Sequence, residues 1–187
     1  MKNLIFVFAA LTLVACGDNS GKSGDSGVMQ EIERAERQDA QKVADAAGQT
    51  QHFLDAARAR PGVIARPSGL LMEFTHHSSN ASLPRPTAES VVLVQYEGKL
   101  PDGTTFDSSL AHGQPAQFPL NQVVSGFSEA IQQMRPGDEI IAYFPPALGY
   151  GERGQPPIIP PNSALQFRIQ LLAFQAPGGR LVRAPAR

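Results

Sequence analysis

The chain has 187 residues, room for one ordinary domain plus extensions. Its 16 basic and 17 acidic side chains leave a formal charge of −1, so no basic excess exists to neutralise nucleic-acid phosphates, which argues against nucleic acid as a main partner. A single cysteine, Cys16, excludes an intrachain disulfide and a multi-cysteine zinc site, and a 42% share of apolar residues suffices for a packed core.

Lys2 is followed by an apolar run at residues 4–15, LIFVFAALTLVA. The run is too short to span a bilayer and suits the core of a signal peptide at residues 1–15. Leu13-Val14-Ala15-Cys16 resembles the lipobox of bacterial lipoproteins, which implies cleavage before Cys16 and its lipidation. The alternative is an ordinary secretory signal with an incidental cysteine. A lipid anchor would place the protein in the bacterial cell envelope. Gly17, where an aspartate is associated with inner-membrane retention, favours the outer membrane facing the periplasm. Residues 16–27 continue as a Gly/Ser/Asp tether with a reach of roughly 20 Å.

Residues 28–60 lack proline and are rich in Ala, Glu, Gln, Arg and Asp, a composition that predicts helix. The apolar positions Met29, Ile32, Val43, Ala46, Ala47, Phe53, Leu54 and Ala57 share one face sparsely. Gly48 is a candidate break into two helices. Two roles are open to this segment: a homodimerisation or spacer helix, or a solvated helix packing Phe53 and Leu54 on the domain.

Pro61-Gly62 stops the helix, and residues 61–90 read as a connecting strand, LLMEF, and a loop. Val92, Val94 and Tyr96 alternate inward on a strand, with Gln95 and Glu97 outward. Pro101-Asp102-Gly103 turns the chain. Phe127, Ala130, Ile131 and Met134 then fall at i, i+3, i+4 and i+7, the one helical period of this half. Pro136-Gly137 suits a type II turn. Residues 139–144 and 164–174 read as strands, the second alternating cleanly, and residues 175–187 as a disordered tail. The fold class predicted is α+β, an antiparallel sheet with one short helix, preceded by an N-terminal helical segment.

Among motifs, Gly149-Tyr150-Gly151-Glu152-Arg153-Gly154 has the G-x-G-x-x-G spacing of a phosphate loop. Four prolines within the next seven residues, Gln155 to Pro161, forbid the helix whose amides a phosphate needs, so the nucleotide reading fails. Those letters specify instead a stiff loop presenting Tyr150, Ile158 and Ile159 as the wall of a small apolar site. His52, His76, His77 and His112 lack metal-ligand spacing, and Asp107-Ser108-Ser109 lacks the surroundings of a hydrolase nucleophile.

The segments VQYEGKLPDGTTFDSS, VVSGFSEAIQQMRPGDE and GYGERGQPPIIPPNSALQFRIQLL together resemble the FKBP-type, macrolide-binding, peptidyl-prolyl cis-trans isomerase domain over residues 91–174. HFLDAARARPGVIARPSGLLMEF resembles more weakly the segment before that domain in secreted members of the macrophage-infectivity-potentiator type. The resemblance implies a sheet wrapped around the short helix and an isomerase acting on X-Pro bonds of envelope proteins without cofactor or metal. It implies catalytic roles for Tyr96, Asp107 and Tyr150. Phe106, Phe118, Val123, Val124, Phe127, Ile158, Ile159 and Phe167 would bind substrate, namely proline-containing polypeptides, or a macrolide ligand. From the residues alone, Asp107 could also be a structural turn carboxylate, but its apolar neighbours favour the pocket role. Phe127 stands for the family's usual tryptophan floor, Ala116 for a second aromatic wall and Gln155 for a common histidine. One residue is missing before Val123, and LAHG replaces a more basic stretch. These departures motivate an alternative function, a peptide-binding chaperone with little catalysis.

Overall fold

The computed structural model describes residues 25–184. The apolar run of residues 1–15, Cys16, most of the tether and residues 185–187 lie outside the described residues. The chain divides into two compact units, Met1–Gln38 and Asp39–Arg187. Within the first, the described residues form the start of a helix on which Val28, Met29 and Ile32 are exposed and Glu33 pairs with Arg37 at 3.2 Å.

That helix, α1, runs unbroken over Asp25–Arg58, starting inside the expected tether. Gly48 does not divide it. A helical glycine costs only about 1 kcal/mol against alanine, too little to stop a helix whose flanks are good formers. Side-chain pairs one turn apart support both flanks: Gln41 donates to Asp45 at 3.1 Å and Gln51 to Asp55 at 3.0 Å.

The remaining elements are β1 (Ile64–Ala65), β2 (Leu71–His76), β3 (Val91–Lys99), β4 (Thr105–Ser108), β5 (Ala116–Pro119), α2 (Ser125–Gln132), β6 (Glu139–Phe144), β7 (Leu165–Gln175) and β8 (Leu181–Arg183). They form an antiparallel sheet in the order β1-β2-β6-β7-β3-β4, with β5 also on β3 and β8 also on β7. This is the α+β architecture the alternation predicts. The connecting region contributes more than a link: β2 pairs with β6 and supplies the fully buried Leu71 and Met72.

The C-terminal tail differs from its expected disorder. Leu181–Arg183 pairs with Ala173–Gln175 of β7, and Val182 turns into the core at 6% exposure. Three residues are too few to show a period, so the strand is invisible in the sequence.

One face of the sheet wraps α2. Phe127, Ala130 and Ile131 bury against it together with Met134, each large side chain contributing about 1.5–3 kcal/mol. Gly137 takes φ +99° in the turn that leads from α2 to β6. The second half of α1 docks elsewhere: Phe53, Leu54 and Ala57 pack with Val63, Leu71, Ile141 and Tyr143 in a smaller core. Phe53 meets Tyr143 edge-on at 5.8 Å.

Candidate active site

β3, β4, β5, the start of α2, the loop after β6 and β7 bring nine side chains around one cavity of about 140 Å³: Tyr96, Phe106, Asp107, Phe118, Val123, Val124, Phe127, Tyr150 and Phe167. Each arrives by an elementary cause. Strand alternation turns Tyr96 and Phe167 to the inner face, where the register places Gly98 opposite Phe167. Phe127 lies in the first turn of α2, on its buried stripe.

The rings lock one another. Phe127 meets Phe167 at 5.3 Å and Tyr96 at 5.9 Å, Tyr96 meets Phe118 at 5.7 Å, and Phe106 meets Phe167 at 5.4 Å, all edge-to-face. Such pairs add about 0.5–1.5 kcal/mol beyond area burial. Phe144 stacks on Phe167 at 5.2 Å and supports that ring from the core.

The polar groups are few. The Tyr96 hydroxyl donates to Asp107 Oδ2 at 2.6 Å. Burial, then that hydrogen bond and the carboxylate charge, push the Tyr96 phenol well above its ordinary value. Tyr150 is raised by burial and then by the Asp107 charge, so its hydroxyl stays protonated at neutral pH. Among the described residues, neither the Tyr150 hydroxyl nor the Val124 amide has a hydrogen-bond partner. The site thus combines an apolar aromatic cup, two donors without a partner among the described residues and one carboxylate that accepts a phenol on Oδ2.

Ile158 and Ile159 do not wall the cavity as a pair. Ile158 is 57% exposed, while Ile159, 2% exposed, belongs to the core cluster and is not among the lining residues. Residues 155–159 form a tight turn in which the Ile158 and Ile159 amides both donate to the Gln155 carbonyl, leaving Ile158 on the turn and Ile159 at its closing bridge. No histidine lines the cavity, and His77 stacks on Phe74 at 4.7 Å. Among the described residues no group of three or more His, Cys, Asp or Glu could hold a metal ion.

Two supporting residues escaped the sequence reading. Ser109, 1% exposed, accepts the Tyr96 amide on its hydroxyl at 2.9 Å and donates its own amide to the Tyr96 carbonyl at 3.0 Å, fixing that strand position. Gly98 gives the rings their space: a Cβ there would lie 2.6 Å from Phe106 Cζ and 2.9 Å from Phe167 Cε1. A glycine on the inner face of an otherwise alternating strand is the available signal.

The sequence and the fold have counterparts in known proteins. Residues 84–172 match the sequence model of the FKBP-type peptidyl-prolyl cis-trans isomerase family. The peptidyl-prolyl cis-trans isomerase Mip of Coxiella burnetii is 42% identical over 129 residues, 69% of this chain and 55% of that protein. The outer membrane protein MIP of Legionella longbeachae is 37% identical over 123 residues, 66% of this chain and 52% of that protein. The chain therefore spans about half the length of these curated relatives. A crystal structure of a peptidyl-prolyl cis-trans isomerase from Pseudomonas syringae superposes with a TM-score of 0.64 at 34% identity, covering 70% of this chain and 94% of that one. On sequence and fold together, the chain belongs to the FKBP-type peptidyl-prolyl cis-trans isomerase family.

Proposed function

We propose that the chain catalyses cis–trans isomerisation of X-Pro bonds in polypeptides of the bacterial cell envelope. The observation that carries this reading is the 140 Å³ aromatic cup with two unpartnered hydrogen-bond donors beside it. Small-molecule pockets span about 300–1,000 Å³, so this cup suits a single ring such as a proline side chain. A macrolide would enter with one ring and leave most of its surface over the rim.

The chemistry asks for no acid, base or metal. Resonance keeps the amide planar, with a rotation barrier of about 18–20 kcal/mol. Twisting the bond removes that resonance and part of the charge on the carbonyl oxygen. A dry cup disfavours the polar planar amide more than the twisted one. The Tyr150 hydroxyl and Val124 amide hold neighbouring carbonyls, which restricts the peptide to a productive orientation. Tyr96, Phe118, Phe127 and Phe167 enclose the ring. Asp107 orients the wall through Tyr96. Ile159 backs the site from the core, and Ile158 offers an outward apolar contact to flanking substrate residues. Each tenfold acceleration requires about 1.4 kcal/mol, within reach of one or two such contacts.

Lipidation of Cys16 would anchor this activity to the membrane, on the outer-membrane face that the sequence after the cysteine favours; the Legionella relative's name is in keeping with such a place. Exposed Val28, Met29 and Ile32 would supply a homodimer contact. Cys16→Ser should release the protein from membranes. Ile32→Glu should halve the sedimenting mass. No change in either measurement removes the corresponding role.

The decisive experiment is refolding of a proline-limited protein with wild type, Asp107→Ala and Tyr150→Phe. Wild type should accelerate the slow phase and each variant should do so less. Equal and negligible acceleration by all three would sink the isomerase reading. Suppression of aggregation of a proline-free client would then favour the chaperone.

A further inference from the structure

We infer that Thr50, on α1, is a positioning residue for the Tyr150 loop; the inference rests on the isomerase reading above. The loop of residues 149–161 leaves β6 and must return to β7. Its base is closed by one hydrogen bond, from the Asn162 amide to the Gly151 carbonyl at 3.0 Å, directly beside Tyr150. Thr50 holds the returning limb. Its hydroxyl donates to the Asn162 carbonyl at 2.8 Å and accepts the Ala164 amide at 3.1 Å. Asn162 is the one non-glycine residue with positive φ among the described residues, at 57°. Asparagine enters that region more readily than other side chains, and the Thr50 contacts select it from the alternatives.

Thr50 is also anomalous within its own helix. Its neighbours Gln49 and Gln51 are exposed, yet Thr50 is 8% exposed. A threonine in a helix commonly bonds the carbonyl one turn back. Here both donor and acceptor are spent on a segment 112 and 114 residues away. Phe53, Leu54 and Ala57 continue the same seam and fix the helix against the sheet. The link therefore runs from α1 through the Thr50 hydroxyl to the Asn162 backbone, then to Gly151 and Tyr150. The Thr50 turn of α1 supports the substrate site by this route.

A loop held in advance need not be ordered when a peptide arrives. Releasing it weakens ground state and transition state alike, which raises KM and spares kcat. Mere loss of folded protein does the opposite, lowering kcat at constant KM. The test uses the full chain with Thr50→Val, which keeps the shape and deletes the hydroxyl, and Thr50→Ser, which restores it. Kinetics on a proline-containing tetrapeptide are paired with hydrogen exchange at the Asn162 amide. Thr50→Val should raise KM about fivefold with kcat within about twofold. It should speed Asn162 exchange about tenfold or more while β3 amides keep their rates. Thr50→Ser should return both quantities to near the parent values. If the valine substitution prevents folding, Thr50→Ala, with room for water at the two orphaned groups, repeats the test. Unchanged Asn162 exchange, unchanged KM, or a fall in kcat alone overturns the inference. Absence of activity in the parent chain sinks the isomerase reading only, and the exchange rates then decide the role of Thr50 alone.

Discussion

The hydroxyl of Tyr96 and the carboxylate of Asp107 stand 2.6 Å apart, linking the inner face of β3 to β4 at the wall of the cavity. The two residues are eleven apart in sequence and are brought together by the β3–β4 pairing, in which Gly98 lies opposite Asp107. A hydrogen bond to a charged group contributes about 1.5–3 kcal/mol, more than most neutral pairs. The pair therefore sets where the ring of Tyr96 and the carboxylate can sit. It also engages Oδ2 of Asp107 with the Tyr96 phenol.

Tyr96→Phe keeps the ring and removes this donor. It should destabilise the fold by about 1.5 kcal/mol in urea titrations, the lower end for a half-buried carboxylate that can recruit water. Isomerisation should slow about fivefold in kcat/KM as the wall loosens, equivalent to about 1 kcal/mol. An unchanged kcat/KM with reduced stability would make the contact purely structural.

Alkaline pH should weaken the fold through the phenols. Tyr96, Tyr143 and Tyr150 are all raised above the ordinary phenol value of 10.0, each chiefly by burial. The folded chain then holds protons that the unfolded chain releases above about pH 10, so stability falls with rising pH there. Below that value the contribution is fully present. Urea midpoints should be flat across neutral pH and drop between about pH 10 and 12. Tyr143→Phe should make the drop shallower without touching the cavity, and an unaltered slope would contradict the burial argument.

Gly98→Ala tests the space behind the rings. The new methyl would overlap Phe106 and Phe167, and Phe167 cannot retreat because it already rests on Phe127 and Phe144. Overpacking of this kind costs about 1–3 kcal/mol. Stability should fall by that amount and KM should rise, since the displaced rings narrow the cup. A neutral alanine would mean that the ring cluster is looser than its geometry states.

What could be read from the letters followed the strength of the local period. β3, β7 and α2 carry clean alternation or a clean helical stripe, and their inward residues are the buried ones. Leu181–Arg183 is three residues long and depends on β7 for its existence, so no local pattern announces it. Tyr96, Phe127 and Phe167 were legible as inner-face aromatics, but their convergence came only through the motif resemblance. Ile158 and Ile159 could not be told apart in the sequence, because composition reports that a loop is apolar and not which side chain is exposed and which is buried. Thr50 was missed because a hydroxyl on a polar helix reads as solvated surface. Its spacing before Phe53, Leu54 and Ala57 was the available clue.

Gly48 offers a simple gain. The helix passes through it, and a Cβ there would meet nothing within 4 Å. Alanine should stabilise α1 by about 0.5–1 kcal/mol by restricting the unfolded chain and favouring helix. The far-ultraviolet melting temperature should rise while isomerase kinetics stay unchanged. A decrease would show that the helix bends or opens at this position.

Phe127→Trp turns the floor of the cavity into its own reporter. The chain contains no tryptophan, so the substituted indole is the sole such fluorophore. Phe127 is 4% exposed and touches the rings of Tyr96, Phe118 and Phe167, which places the indole directly beneath anything the cup holds. The larger ring should cost up to about 1–3 kcal/mol of stability if the floor resists, and less if it rises into the open cavity above. Either way its emission senses whether the space over it contains water or a pyrrolidine ring. Saturable change on adding a proline-containing peptide, and none on adding the same peptide with alanine for proline, is the expected outcome. Emission that ignores the peptide while Phe127→Trp still accelerates X-Pro rotation would place the reacting proline somewhere other than this cup.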